Sequence, residues 1–147
     1  MSGSVRALGV NDLEALAALD QRLFTHPWPR ASLRQALASG QPVLGCWDDG
    51  LLTGYLVGRI VADEAELLQI GVDADKRRRG RASQLLRAFV RLLNQHQVAA
   101  LHLEVRQSAA AAQAFYQHHG FVPVGHRRHY YPLNDGREDA LLYRLSL

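Results

Sequence analysis

The stretch from Leu67 to Gln95 constrains the fold more than any other part of this 147-residue chain. An apolar run, Leu67 to Val72, leads through the basic loop Arg77-Arg78-Arg79-Gly80-Arg81-Ala82 into a segment from about Ala82 to Gln95. There Leu85, Leu86, Phe89, Val90, Leu92 and Leu93 recur with the spacing of one helix face. A strand, a glycine-bearing turn and an amphipathic helix in that order form an α/β unit, and its apolar surfaces need further layers to cover them.

The flanking sequence supplies those layers. Asn11 and Asp12 can cap a helix carrying Leu13, Leu16, Leu19 and Leu23, which Pro27 and Pro29 interrupt. A second short helix is expected from about Ala31 to Ser39, closed by Gly40. Pro42 to Trp47 and Leu51 to Val61 read as strands joined at Asp48-Asp49-Gly50, a hairpin signal, and Asp63-Glu64 marks the next turn. After the long helix come a strand at Ala100 to Val105 and a helix from Ala109 to His118 capped by Gly120. Two strands, Phe121 to Gly125 and Ala140 to Leu145, close the chain. A hairpin followed by a β-α-β-α-β succession predicts a mixed sheet with helices on both faces.

Composition narrows the class. With 48% hydrophobic and 21% charged residues, the chain is neither disordered nor fibrous, and its length fits a single domain over residues 1–147. No apolar run nears the roughly 20 residues of a membrane-spanning helix, and the residues from Met1 to Arg6 have no signal-peptide character. The single cysteine, Cys46, has no internal partner, which makes a reducing cytoplasm the expected compartment. It reads as a buried apolar thiol, since no base lies beside it in sequence.

The formal charge is +3, and it is concentrated: Lys76, Arg77, Arg78, Arg79 and Arg81 fall within six residues, and Arg127 and Arg128 form a second group between His126 and His129. Such clustering points to an anionic ligand or to a solvated charged turn. A loop entering a helix N-terminus presents unpaired backbone N–H groups and the positive end of the helix dipole. Gly80 and the small Ala82 let the backbone approach a diphosphate, which the arginines can pair bidentately. Neither the Walker spacing nor the dinucleotide fingerprint is present.

Leu101, Leu103 and Val105 alternate with His102, Glu104 and Arg106, so one side of this strand is polar. Beneath a helix layer a carboxylate at Glu104 is costly unless it is paired or opens into a cleft. A sheet face left open to water and a structural Glu104–Arg106 ion pair are the alternative readings. Tyr116 lies on the next helix, 12 residues further on. It reads either as core packing or, with Glu104, as a border of one cleft at the C-terminal edge of the sheet.

The loop, with Arg, two residues, Gly, one residue and Ala, resembles the pyrophosphate loop of the GNAT acetyltransferases. The likeness runs almost end to end through His26-Pro27-Trp28, Asp63-Glu64-Ala65, Leu103-Glu104-Val105-Arg106, Phe115-Tyr116, Gly120-Phe121, Tyr130-Tyr131-Pro132 and Gly136-Arg137-Glu138-Asp139-Ala140. In that order these segments are similar to the RimI group of bacterial ribosomal-protein alanine N-acetyltransferases. The resemblance implies a GNAT (acyl-CoA N-acyltransferase) fold with a mixed, mostly antiparallel sheet. It implies transfer of an acetyl group from acetyl-coenzyme A, as co-substrate and without a metal, to the N-terminal α-amine of a small-subunit ribosomal protein, with no membrane or direct nucleic-acid partner.

Residue by residue, it implies that the backbone at Ile70, Gly71 and Val72 holds the pantetheine arm and thioester carbonyl. The loop Arg77, Arg78, Arg79, Gly80, Arg81, Ala82 and Ser83 holds the diphosphate. Glu104 falls on the family's general base and Tyr116 on its general acid, while Tyr130 and Tyr131 help shape the acceptor cleft. Trp28 reads either as a wall of that cleft or as a helix-junction core residue. Two positions depart from the pattern: Ala109 stands where the family has Asn, and Arg81-Ala82 where many relatives have an apolar residue and Gly.

Other constellations carry less. His118, His119, His126 and His129 lack metal-ligand spacing and read as surface or substrate-facing groups. A GNAT enzyme acting on lysine side chains or a small amine is the alternative activity. A ribosomal-RNA binding module is a third reading, and the absence of aromatic residues from Ala74 to Ser83 argues against it.

Overall fold

The computed structural model describes residues 3–76, 80–133 and 136–147, with Pro132 and Leu133 through their backbone alone. Its elements are β1 (Ser4–Ala7), α1 (Leu13–Leu23), α2 (Arg30–Ala38), β2 (Val43–Asp48), β3 (Leu51–Val61), β4 (Glu64–Val72), α3 (Arg81–Gln95), β5 (Ala100–Arg106), α4 (Ala110–His118), β6 (Val122–Leu133) and β7 (Gly136–Ser146). Short 3-10 turns occupy Val10–Asp12 and Ala74–Lys76. Among the described residues the strands form one seven-stranded sheet in the order β1, β2, β3, β4, β5, β7, β6, in which the β4–β5 pair alone is parallel.

Local chemistry explains the connections. Asp49 and Gly50 take φ of 52° and 81° between β2 and β3, the left-handed pair of a tight type I′ hairpin turn. Gly80 stands before α3 with φ of 78°, and Gly120 follows α4 with φ of 92°. Asp12 secures the start of α1 from the turn before it: its Oδ2 accepts the Gly9 N–H at 2.8 Å, and its other oxygen meets Arg6 at 3.1 Å.

Two cores lie on opposite faces of the sheet. Leu16 and Leu19 of α1 and Leu33 and Leu37 of α2 pack with Leu52, Tyr55 and Val57 of β3. Leu85, Leu86, Phe89 and Leu93 of α3 and Tyr116 of α4 pack with Leu56, Leu101, Leu103, Val105 and Tyr143. Alternation along β3 sends Tyr55 and Val57 to one core and Leu56 to the other. Gly58 shares the face of Leu56, and a Cβ there would lie 2.3 Å from Cζ of Phe89. Its missing side chain is what lets α3 sit close on β3.

The helices and the β2–β3 hairpin match the sequence expectation to within a residue or two. Three features differ. β1 pairs with β2 at the sheet edge, with three of its four residues exposed, so it carries no apolar alternation to reveal it. β4 begins at Glu64, three residues before the expected Leu67. β6 and β7 are far longer than Phe121 to Gly125 and Ala140 to Leu145, and Tyr130-Tyr131-Pro132 belongs to β6. Residues 122–130 are all exposed; an edge strand facing water can be charged and polar, which hides it from a hydrophobicity reading.

Candidate active site

β4 and β5 pair at Glu64–Ala100, Ala65–Leu101 and Glu66–His102, and the pairing stops there. Beyond that point β4 continues with β3 as far as Val72, while β5 continues with β7 as far as Arg106. The sheet therefore opens as a fork towards the C-terminal ends of its two parallel strands, where open α/β sheets place ligands.

Two cavities meet this fork. One, of about 550 Å³, is bounded by Ile70, Gly71 and Val72 of β4, by Gly80, Ala82 and Ser83 at the start of α3, by Ala111, Ala112, Phe115 and Tyr116 of α4, and by Leu23 and Phe24 at the end of α1. The other, of about 740 Å³, is floored by Leu67, Leu68, His102 and Glu104 and walled by Arg127, Tyr130 and Tyr131 of β6. Leu101, Leu103 and Val105 join the core beneath α3 and α4, so His102 and Glu104 point out through the other face. Glu104 and Tyr116 thus approach the fork from opposite sides of the sheet.

Tyr116 is 8% exposed, and burial, with a smaller contribution from Tyr131, pushes its phenol up to about 12. It stays protonated throughout the neutral range. Tyr131 is raised as well, chiefly by burial and then by the Glu104 carboxylate. Tyr131 is thus raised by Glu104 and in turn raises Tyr116. Its ring lies under the Arg106 guanidinium at 4.4 Å, and Arg106 is held by Glu138 at 2.9 Å. Glu138 also accepts the backbone N–H and the hydroxyl of Ser108, each at 3.1 Å; the Arg106 hydrogen bond first, and then those from Ser108, draw its carboxyl below the usual range. Arg106 thus pairs with Glu138; Glu104 pairs with Arg127, Oε1 to Nη2 at 3.2 Å.

The wall of the smaller cavity depends on one buried carboxylate. Asp20 of α1 is fully buried, yet it is satisfied: it accepts the Trp28 backbone N–H at 2.7 Å and the Tyr55 hydroxyl. Burial and then Asp20 drive the Tyr55 phenol strongly upward, so it remains a donor. This anchor fixes the chain between α1 and α2. Gly71 then allows Phe24 and Leu23 to close on β4, because a Cβ at Gly71 would lie 2.8 Å from Leu23 Cδ1 and 3.0 Å from Phe24 Cζ.

Of the expected ligand-holding residues, Ile70, Gly71, Val72, Gly80, Ala82 and Ser83 all border the smaller cavity. Arg77, Arg78 and Arg79 lie outside the described residues. Arg81 borders the cavity, but the expectation that its guanidinium pairs with phosphate is corrected: Nη2 and Nε meet Asp48 at 2.6 and 3.1 Å in a shielded ion pair. Trp28 packs against the α1/α2 core and lines neither cavity, so the core reading is the one the structure favours. Ala109 packs against the opposite core before α4. Cys46 is fully buried, and burial pushes its thiol up, as expected of an inert apolar cysteine.

The sequence reading missed Leu23 and Phe24 as cavity walls, because an apolar helix end looks like ordinary core. It also missed Arg127 as the partner of Glu104. The second basic cluster was visible, but the pairing across β6, β7 and β5 that brings it to Glu104 was not.

Comparison with known proteins supplies the family. The model of the acetyltransferase (GNAT) family matches residues 13–121. Over 144 residues, 98% of this chain and 97% of the relative, the sequence is 35% identical to the ribosomal protein bS18-alanine N-acetyltransferase of Escherichia coli. It is 37% identical over 135 residues, 87% of this chain and 84% of the relative, to the N-alpha-acetyltransferase RimI of Mycobacterium tuberculosis. The crystal structure of the Escherichia coli ribosomal-protein-S18-alanine N-acetyltransferase superposes with a TM-score of 0.91 over 98% of this chain and 93% of that one, at 35% identity. With its forked sheet, its glycine-led helix and this end-to-end likeness, the chain belongs to the GNAT family of acetyltransferases.

Proposed function

We propose that this N-acetyltransferase moves the acetyl group of acetyl-coenzyme A onto the N-terminal α-amine of a small-subunit ribosomal protein. The alanine of bS18, the acceptor named for its bacterial relatives, is the first candidate. The observation that carries the reading is the fork, which opens to separate cavities with Tyr116 on one side and Glu104 on the other.

The smaller cavity suits a coenzyme A arm. Its walls are largely apolar side chains, and at one end the first turn of α3 offers backbone N–H groups at Ala82 and Ser83 behind the left-handed Gly80. Gly71 and Ile70 on the strand edge suit the pantetheine amides. Bound there, acetyl-coenzyme A supplies an activated thioester.

The chain's own groups then divide the proton work. An α-amine with a pKa of about 8 is mostly charged at neutral pH and must lose a proton before it can attack. Glu104 takes that proton, directly or through water. A backbone N–H from the Ile70–Val72 segment stabilises the charge that develops on the carbonyl oxygen. Tyr116 presents its O–H to the departing sulfur and protonates it as its charge grows. Holding donor and acceptor at one fork contributes through proximity.

The test measures coenzyme A release with an alanine-initiated ribosomal peptide bearing a free N-terminus, beside an N-blocked peptide containing lysine. Turnover on the free amine that falls sharply in Glu104→Gln supports the proposal. Turnover on the blocked peptide alone moves the activity to lysine side chains.

A further inference from the structure

Ser83 and His119 meet at the edge of the smaller cavity. Oγ of Ser83, in the first turn of α3, lies 2.9 Å from Nε2 of His119, the residue that ends α4. The imidazole packs on Phe115 with ring centroids 4.8 Å apart, and both Phe115 and Ser83 line the cavity. Arg87, one turn along α3, and His118 on α4 are the charged or titratable groups that bear on the ring; with burial as the larger cause, they hold its pKa below the usual value. A neutral imidazole has one N–H, and which nitrogen carries it decides what Ser83 can do.

A serine hydroxyl has one proton to donate. If that proton goes to Nε2, Ser83 presents only lone pairs to the cavity and repels an anion. If Nε2 carries the proton and donates to Oγ, the hydroxyl proton is free to point at a ligand. The first turn of a helix favours an anion, and the nearby Arg81 guanidinium is committed to Asp48.

We propose that His119 is a positioning residue for the coenzyme: it donates from Nε2 to Ser83 and so turns the Ser83 hydroxyl toward the diphosphate of coenzyme A. This rests on the reading that the smaller cavity takes acetyl-coenzyme A. It deepens that reading, because it gives a specific task to a histidine whose position the motif leaves without a role. The anion itself favours the arrangement: its charge attracts the hydroxyl proton, which in turn leaves Oγ free to accept from the ring.

The experiment is calorimetric titration of coenzyme A into the full chain and its variants Ser83→Ala, His119→Leu, His119→Gln and Ser83→Ala/His119→Leu, with thermal melts to confirm folding. Loss of one hydrogen bond to a charged ligand predicts about tenfold weaker binding for Ser83→Ala and for His119→Leu. The double variant should bind no worse than either single one. His119→Gln keeps an N–H donor at a comparable reach and should restore affinity to within about twofold. In turnover, the His119→Leu penalty should vanish with S-acetylpantetheine, a donor that lacks the diphosphate, and the KM for the acceptor peptide should not move. Wild-type affinity in His119→Leu, additive losses in the double variant, or a penalty that persists with S-acetylpantetheine would each overturn the proposal. Failure of the unaltered chain to bind coenzyme A would instead overturn the cavity reading beneath it.

Discussion

Arg127 holds its guanidinium 3.2 Å from the carboxylate of Glu104, so the group assigned to receive the acceptor's proton already faces a cation. The arginine lies over the ring of Tyr130 at 5.1 Å, and its side chain is 54% exposed. An ion pair this open to water is worth about 0–1 kcal/mol. An incoming α-ammonium therefore displaces it at little cost, and the position Arg127 holds is one that suits the charge the acceptor brings. Arg127→Gln is expected to change kcat/KM for the peptide by less than about fivefold, whereas Glu104→Gln should lower kcat by about 10²–10⁴-fold. Steady-state kinetics on both variants decides it. Equal losses would move the essential role from the carboxylate to the arginine.

Tyr116 makes a prediction about pH. Its phenol is pushed up to about 12, mainly by burial, so the proton it offers is present at every pH an assay normally reaches. A group whose folded pKa is raised keeps its proton below that value and loses it only above. The alkaline limb of the wild-type rate profile, followed to about pH 10, should therefore show no loss attributable to Tyr116. Tyr116→Phe should reduce kcat by about 10²-fold while leaving the coenzyme A affinity from calorimetry within about threefold.

Asp48 and Arg81 join the end of β2 to the first turn of α3, and that pair is expected to matter for stability more than for chemistry. The hydrogen bond from Arg81 is the largest influence on Asp48, and its carboxyl falls from 3.8 to about 2 in the folded protein. For a depressed carboxylate the stabilisation is fully present above the unfolded value and is lost as pH falls through the folded one. The difference in urea midpoint between wild type and Asp48→Asn should hold steady from pH 7 to pH 5 and then shrink between about pH 4 and pH 2. A gap that persists undiminished at pH 2 would show that the asparagine disturbs packing and not charge.

Much of the candidate site is legible in the sequence, and the reason lies in its backbone. Gly80, Ala82 and Ser83 follow an apolar strand and open a strongly periodic helix, and both signals survive in sequence because each element packs on a core. Glu104 stood out through strict alternation with Leu103 and Val105. What stayed hidden was set by pairing between distant segments. Arg127 reaches Glu104 only because β6 pairs with β7 and β7 with β5, and the register shifts just beyond it, between Arg127 and Tyr131. His129 sits in that shift with φ of 53°, its N–H donating to Asp139 at 2.9 Å, an arrangement no periodicity announces. The Arg81 ion pair is hidden for a related reason: its partner Asp48 is 33 residues away.

Gly58 ties the packing of the core to the geometry of the coenzyme cavity. A methyl group there would stand 2.3 Å from Cζ of Phe89, so α3 must lift from β3 or the ring must leave its place. Overpacking of this kind costs about 1–3 kcal/mol, and Gly58→Ala should lower the unfolding free energy measured in urea by that amount. Because Phe89 and Ser83 share α3, lifting the helix also moves the first turn that borders the cavity, and the KM for acetyl-coenzyme A should rise with the loss of stability. Phe89→Leu alone should destabilise by leaving a cavity, yet in the Gly58→Ala background it should recover part of both losses by making room for the added methyl. If the two substitutions proved simply additive, the contact between Gly58 and Phe89 would not be what sets the height of α3 above the sheet.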